Sequence, residues 1–128
     1  VTRSGTAFEQ GAILVVPFPF SDLSGIKQRP VLVISSNDYN TRSDDIVTCG
    51  ITSNLKASKY SVLIDNSNLE EGKIPAKSRI KADKIFTLEK SIIKKKIAKI
   101  DTKTLEKIKA ELLDLFEITG GTKEVSGV

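Results

Sequence analysis

The segment Gly11-Ala-Ile-Leu-Val-Val-Pro-Phe-Pro-Phe20, continued by Ser21-Asp-Leu-Ser-Gly-Ile-Lys-Gln-Arg-Pro-Val-Leu-Val-Ile-Ser35, holds two short apolar runs separated by a polar connection. Runs of this length, the second rich in β-branched residues and both bounded by turn-forming residues, are read as strands over 12–18 and 30–35. The connection over 19–29 is longer than a hairpin needs, and connections of surplus length are often functional. It delivers Arg29, next to Pro30, to the mouth of the second strand. Proline restricts the backbone around it, and a guanidinium fixed there can hold a phosphate.

The rest of the chain continues in short elements. Residues 36–41 read as a turn or a single helical turn. Strands are expected over 46–52, 60–65 and 78–82, with 85–88 continuing or following the last, and over 96–100. Residues 66–77 read as a polar loop. Asp101 or Thr102 can cap a helix in which Leu105, Ile108, Leu112, Leu115 and Phe116 recur at helical spacing, with Gly120-Gly121 as its stop. The stripe suits covering the chain's own barrel. The expected fold is mainly β with a C-terminal helix (α+β), a small, strongly bent, partly open barrel. One domain is expected over 11–119, between a flexible N-terminal arm or appended remnant at 1–10 and a flexible tail at 120–128.

Composition removes several kinds of chemistry. The chain has no histidine, so no Ser-His-Asp triad, Cys-His dyad or histidine-pair nuclease can be built. With one cysteine, a zinc site would rest on carboxylates, which zinc does not prefer. No GxGxxG or GxxxxGK[ST] phosphate loop occurs. The longest apolar run, 12–16, is far short of the roughly 18–20 residues of a membrane span. The first ten residues lack the apolar core of a secretory signal, and Cys49 has no second cysteine to pair with, so a reducing cytoplasm is the simplest setting. Within Ile46-Val-Thr-Cys-Gly-Ile51, Cys49 is expected to be buried and inert. Net charge is +4, yet nine cations against two carboxylates lie between Lys77 and Lys99. A polyanion such as RNA suits that imbalance; a solvated lysine-rich face is the competing reading.

Three segments can converge on a site. They are Lys27-Gln-Arg29-Pro30, the strand end Gly50-Ile-Thr52-Ser53-Asn54, and Arg79-Ile-Lys81-Ala-Asp83-Lys84, where alternation would put Arg79, Lys81 and Asp83 on one face. A guanidinium, a hydroxyl and a Lys/Asp pair could hold a phosphodiester and stabilise its pentacoordinate transition state. Structural readings stand beside these: Arg29 paired with Asp22, Thr52 satisfying a strand-end amide, and a solvated Lys81–Asp83 face. Phe18, Phe20 and Tyr39 could stack on bases, though the two phenylalanines suit packing better.

The opening PFPFSDLSG…RPVLV, the apolar-Thr-Ser strand end Ile51-Thr52-Ser53, and the block Ser78-Arg-Ile-Lys-Ala-Asp-Lys-Ile-Phe-Thr-Leu-Glu-Lys-Ser91 together resemble the MazF/PemK family of toxin endoribonucleases over roughly 11–116. The resemblance implies a small SH3-like barrel of the MazF/CcdB/PemK type, working as a homodimer. It implies sequence-specific, metal-independent and cofactor-free cleavage of single-stranded RNA to 2′,3′-cyclic phosphate and 5′-hydroxyl ends. A cognate antitoxin with an acidic, amphipathic segment would be the inhibitor, lying in the same basic groove. The family's essential arginine falls on Arg29, its strand-end threonine on Thr52, and its basic–acidic pair on Lys81 and Asp83. Arg29 and Thr52 would hold phosphate oxygens, Asp83 would be the general base, and Lys81 would stabilise charge or act as acid. Lys27, Ser53, Asn54, Arg79 and Lys84 would bind RNA. Two positions depart from the family pattern: Ala12 stands where an acidic residue often follows the glycine, and Lys81 where some members have arginine. The alternatives are a gyrase-binding toxin of the CcdB type, which cuts nothing, and a non-catalytic nucleic-acid-binding barrel.

Overall fold

In the computed structural model, residues 8–19 and 26–118 are described. Seven strands make one curled antiparallel sheet: β1 (Ala12–Pro19), β2 (Ile26–Val33), β3 (Asp45–Thr52), β4 (Ser61–Ile64), β5 (Leu69–Gly72), β6 (Ser78–Glu89) and β7 (Lys95–Ile100). Their order across the sheet is β4-β6-β3-β2-β1-β7-β5. A short helix α1 (Asn37–Arg42) follows β2, capped by the Ser36 side chain, and α2 (Thr102–Leu115) closes the fold. The architecture is the mainly β half-barrel with a C-terminal helix that the sequence implied.

Side-chain alternation along the strands divides the apolar residues between two faces. One face gathers Ile13, Leu32, Cys49, Ile51, Ile80 and Ile100 beneath Ile108 of α2, with Leu105 and Leu112 packed beside it. The other face gathers Ala12, Leu14, Val16, Val31, Val33 and Ile46. Each fully buried aliphatic side chain contributes about 1.5–3 kcal/mol, so both faces are needed to order so small a chain. Ala12 is entirely buried here, in a setting where a carboxylate would be desolvated.

Several expectations need correcting. The first two strands pair along almost their full length, from Ile13↔Leu32 to Pro19↔Ile26, so Arg29 sits within β2 opposite Val16 rather than at the strand's mouth. A strand, β5, lies inside the expected loop 66–77 and pairs with β7. Its contact is close: Gly72 has φ +74, and a Cβ there would lie 2.1 Å from the Ile97 carbonyl oxygen, so only glycine fits. Residues 78–82 and 85–88 belong to one twelve-residue strand, β6. The arm expected over 1–10 is built into the barrel at its last three residues. The Phe8 carbonyl accepts from Asn40 Nδ2, Gln10 Nε2 donates to the Ile34 carbonyl, and Phe8 packs on the second apolar cluster.

The helix α2 begins as read, with the Asp101 carboxylate accepting the Thr104 N–H at 2.8 Å. Its end differs. Phe116 is 57% exposed and lies outside the buried stripe. The helix stops at Leu115, before Gly120-Gly121, which falls outside the described residues. Glu117, at φ 55, turns the chain left-handed while its N–H donates to the Asp114 carbonyl and the Ile118 N–H donates to the Leu113 carbonyl. This two-bond closure normally uses glycine at the left-handed position. Glu117→Gly is therefore expected to raise stability by roughly 1 kcal/mol, or a few degrees in Tm, measured by thermal unfolding; an unchanged or lower Tm contradicts it.

An ion-pair network ties the amino-terminal segment and β5 to β7. Glu9 meets Lys96 at 3.2 Å and Lys99 at 3.1 Å; Glu71 meets Lys96 at 2.9 Å and Glu70 meets Lys99 at 3.2 Å. Partial burial works to raise the Glu9 pKa, but hydrogen bonds and charge from Lys99 and Lys96 outweigh it and hold the carboxyl below its ordinary value. For Lys96, burial opposes the charged form, and the bonds to Glu71 and Glu9 prevail, raising its pKa. A depressed carboxylate contributes stability above its unfolded pKa and loses it as pH falls through the folded value. Urea unfolding at about pH 6 and about pH 3 should show a loss on acidification that is smaller in Glu9→Gln; an identical loss removes Glu9 from the account.

Candidate functional site: a basic cleft beside β3

The cleft begins where strand pairing lapses. The β2–β3 ladder runs only from Val33↔Thr48 to Val31↔Gly50. The next residue of β2 is Pro30, which has no N–H with which to extend a ladder. Continued in the same register, Arg29 would stand opposite Thr52. On the other side of β3, Gly50 pairs with Lys81 and Thr52 with Arg79. These side chains share the face of Val31 and Val33, opposite the face covered by α2. A cleft of about 660 Å³ opens there, bounded by Arg29, Pro30, Thr52 and Lys81, with Gly50 and Phe86 in its floor. A Cβ on Gly50 would touch Phe86 Cε2 at 3.6 Å and Lys84 Cβ at 3.7 Å, so the missing side chain is part of the cleft's depth.

The far wall is the segment 53–60, which hydrogen bonds hold in place. Thr52 Oγ1 accepts the Asn54 N–H at 3.1 Å, and Asn54 Oδ1 accepts the Lys56 N–H at 3.0 Å. The strand-end amide role weighed for Thr52 is thus present, and a hydroxyl that accepts in this way still has its proton to donate. Lys81 Nζ donates to Ser58 Oγ at 2.9 Å, and Ser61 Oγ donates to the Ser58 carbonyl at 2.6 Å. Arg79 fastens both ends, donating from one terminal nitrogen to Ser61 Oγ at 3.0 Å and from the other to the Leu55 carbonyl at 3.3 Å.

Of the residues singled out from sequence, Arg29, Thr52, Asn54, Lys81 and Lys84 line this cleft. Arg79 lies behind the wall as its anchor. Ser53 and Lys27 are exposed and outside the lining. Asp83 is also exposed and outside it, and the reason is local. Between Lys81↔Gly50 and Ile85↔Cys49 the strand β6 bulges, so simple alternation ends at Ala82. The Ala82 N–H donates to the Tyr60 carbonyl at 2.8 Å, Ala82 is buried, and Lys84, not Asp83, reaches the cleft. Cys49 is fully buried; burial first, and the Asp83 charge second, push its thiol up to about 12, which makes it inert. The pairing of Arg29 with Asp22 and the packing of Phe18 and Phe20 lie outside the described side chains. Tyr39 is on α1, away from the cleft lining.

Sequence reasoning missed Phe86, Lys56, Ala57 and Ser58, all of which line the cleft. The signal for the segment was the basic, hydroxyl-bearing stretch Lys56-Ala-Ser-Lys-Tyr60 directly after the strand-end Thr52. The basic run from Lys77 to Lys99 does not form one patch. Lys81 and Lys84 face this cleft, Lys96 and Lys99 are neutralised by glutamates, and Lys94 and Lys95 border a different one.

If Arg79 anchors the wall, Arg79→Gln should speed amide hydrogen exchange over 55–60 by at least about tenfold while the amides of β1–β3 are unchanged. Uniform acceleration across the sheet would instead make Arg79 a general stability residue.

With this geometry in view, the chain can be compared with known proteins. The family profile described as PemK-like, MazF-like toxin of type II toxin-antitoxin system matches residues 9–116. Among curated proteins, none matches the chain. Solved structures share the fold at low identity. An endoribonuclease in complex with its cognate antitoxin, from a mycobacterial species, superposes with TM-score 0.72 at 20% identity, covering 87% of this chain and 96% of that one. The MazE–MazF crystal structure from Deinococcus radiodurans gives TM-score 0.71 at 20% identity, covering 87% and 97%. The Mycobacterium tuberculosis toxin MazF-mt6 gives TM-score 0.66 at 14% identity, covering 83% and 98%. The profile spans most of the chain and the fold agrees with it: this protein belongs to the PemK-like, MazF-like toxins of type II toxin–antitoxin systems.

Proposed function

We propose that the chain is a toxin endoribonuclease that cleaves single-stranded RNA at specific short sequences, without a metal or cofactor, to 2′,3′-cyclic phosphate and 5′-hydroxyl ends. It works as a homodimer in the cytoplasm and is inhibited by a cognate antitoxin. The observation that carries this reading is the convergence of Arg29, Lys81, Lys84 and Thr52 on one open cleft with an aromatic side chain, Phe86, in its floor. Cations suit the phosphodiester, and an aromatic face suits an unpaired base.

In this reaction the 2′-oxygen attacks phosphorus, its proton passes to solvent water reaching the open cleft, and the 5′-oxygen departs and takes up a proton. The phosphorane between these steps bears the added negative charge. Arg29 presents a planar fork to its equatorial oxygens, and the Thr52 hydroxyl donates beside it. Lys81, oriented by Ser58 Oγ, stands where it can neutralise the departing oxygen and supply its proton. The cleft therefore acts chiefly by stabilising charge. Asp83, assigned as base by family resemblance, takes second place because it lies in the β6 bulge outside the lining.

Arg29→Ala should lower the rate of RNA cleavage by about 10²–10³-fold with the fold intact; retention of most activity would sink the assignment. Asp83→Asn should cost under about tenfold, whereas a loss as large as that of Arg29→Ala would restore Asp83 as the proton acceptor. One observation favours a second reading, a non-catalytic RNA-binding barrel: among the described residues, no carboxylate lines the cleft. Salt-sensitive RNA affinity with no cyclic-phosphate product would select it.

A further inference from the structure

Lysine carries its charge as one ammonium group on a flexible four-carbon stem, so a lysine that must meet a single oxygen needs something to hold it. Among the described residues, no carboxylate lies within ion-pair distance of Lys81. Its Nζ donates instead to Ser58 Oγ at 2.9 Å, on the segment that walls the cleft. Ser58 in turn belongs to a chain of bonds that leads back to β6. Ser58 Oγ donates to Ser61 Oγ at 3.2 Å, and Ser61 Oγ donates to the Ser58 carbonyl at 2.6 Å. Arg79 donates from a terminal nitrogen to the same Ser61 Oγ at 3.0 Å.

Counting protons gives every bond in this chain one direction. A guanidinium and an ammonium only donate, and a carbonyl only accepts. The single Ser61 hydroxyl proton goes to the Ser58 carbonyl, so both Ser61 lone pairs receive, one from Arg79 and one from the Ser58 hydroxyl. With its own proton committed to Ser61, Ser58 turns its lone pairs to Lys81. An unconstrained hydroxyl would rotate to suit its neighbour; this one is held as an acceptor. The backbone supports the same arrangement. Ser61 on β4 pairs with Lys81 on β6, and Tyr60, at φ 57, turns the chain left-handed just before Ser61. Few residues other than glycine adopt that conformation, and here the Tyr60 carbonyl accepts the N–H of Ala82, the neighbour of Lys81.

We propose that Ser58 is a positioning residue for the cleavage step, held as an acceptor by Ser61 and Arg79 so that Lys81 presents a proton to the departing 5′-oxygen. This role rests on the nuclease reading above. As the 2′-oxygen–phosphorus bond forms, the bond from phosphorus to the 5′-oxygen breaks and its electron pair stays on that oxygen, which takes a proton from Lys81 Nζ. Lys81 then regains a proton from solvent, and the 2′-hydroxyl proton leaves to water. Ser58 acts through Lys81 and transfers no proton itself. One N–H of Lys81 is committed to Ser58, and two remain for the RNA.

The test compares two single-stranded RNA substrates that differ at one atom, the 5′-oxygen of the cleaved bond or a sulfur in its place. A thiolate leaves without being protonated, because a thiol is far more acidic than an alcohol. On ordinary RNA, Ser58→Ala should lower kcat by about tenfold with KM within about twofold, and Ser58→Thr, which keeps the hydroxyl, should recover most of the rate. Ser61→Ala should lower kcat in the same direction. On the sulfur-containing RNA the Ser58→Ala deficit should shrink to about twofold or less, whereas Arg29→Ala stays impaired because the phosphorane still needs its guanidinium. In a Lys81→Met background, Ser58→Ala should cost nothing further. Ser58→Ala that matches the unaltered protein on ordinary RNA, that is equally impaired on both substrates, or that multiplies the Lys81→Met deficit would each overturn the proposal. Failure of the unaltered protein to cut either RNA would overturn the nuclease reading and this role together, so the two failures are distinguishable.

Discussion

The β2–β3 ladder stops at Pro30, and the site depends on that stop. A residue with an N–H at this position could extend the pairing, bring Arg29 against Thr52 and close the gap between the strands. Because the ladder lapses, three neighbouring strands present cations and hydroxyls around an open floor instead of a continuous sheet surface. The bulge in β6 does the same work from the other side. It breaks the alternation after Lys81, turns Lys84 toward the cleft and anchors the segment 53–60 through the Ala82–Tyr60 hydrogen bond.

Around that opening, stability comes mainly from apolar burial on both faces of the sheet. The buried aliphatic side chains each contribute about 1.5–3 kcal/mol, whereas in partly buried ion pairs the lost hydration offsets much of the attraction. The Glu9–Lys96–Glu71 and Glu9–Lys99–Glu70 contacts therefore serve registration more than bulk stability. They hold the segment before β1 and the edge strand β5 against β7, where a glycine, Gly72, lets two backbones approach closely.

The strands that carry long apolar or alternating patterns were legible. The spans over 12–18, 46–52 and 96–100, and the cap at Asp101, stand where the sequence put them to within a residue or so. β5 was not legible, because Leu69-Glu-Glu-Gly72 has no alternating apolar signal; its pairing with β7 and its ion pairs to Lys96 and Lys99 define it. The site was legible as a set of segments but not as a geometry. Arg29, Thr52 and Lys81 meet because of strand order, which no local pattern states, and Asp83 leaves the set because of a bulge that periodicity cannot foresee. Phe86 and Ser58 enter it by the same long-range route.

The central claim is that the cleft beside β3 cleaves RNA by stabilising charge on the phosphodiester. Incubating the purified chain with single-stranded RNA in EDTA and mapping both ends of every fragment tests it most directly. The account predicts cuts at defined sequences with 2′,3′-cyclic phosphate and 5′-hydroxyl ends. Intact RNA at every protein concentration would contradict it.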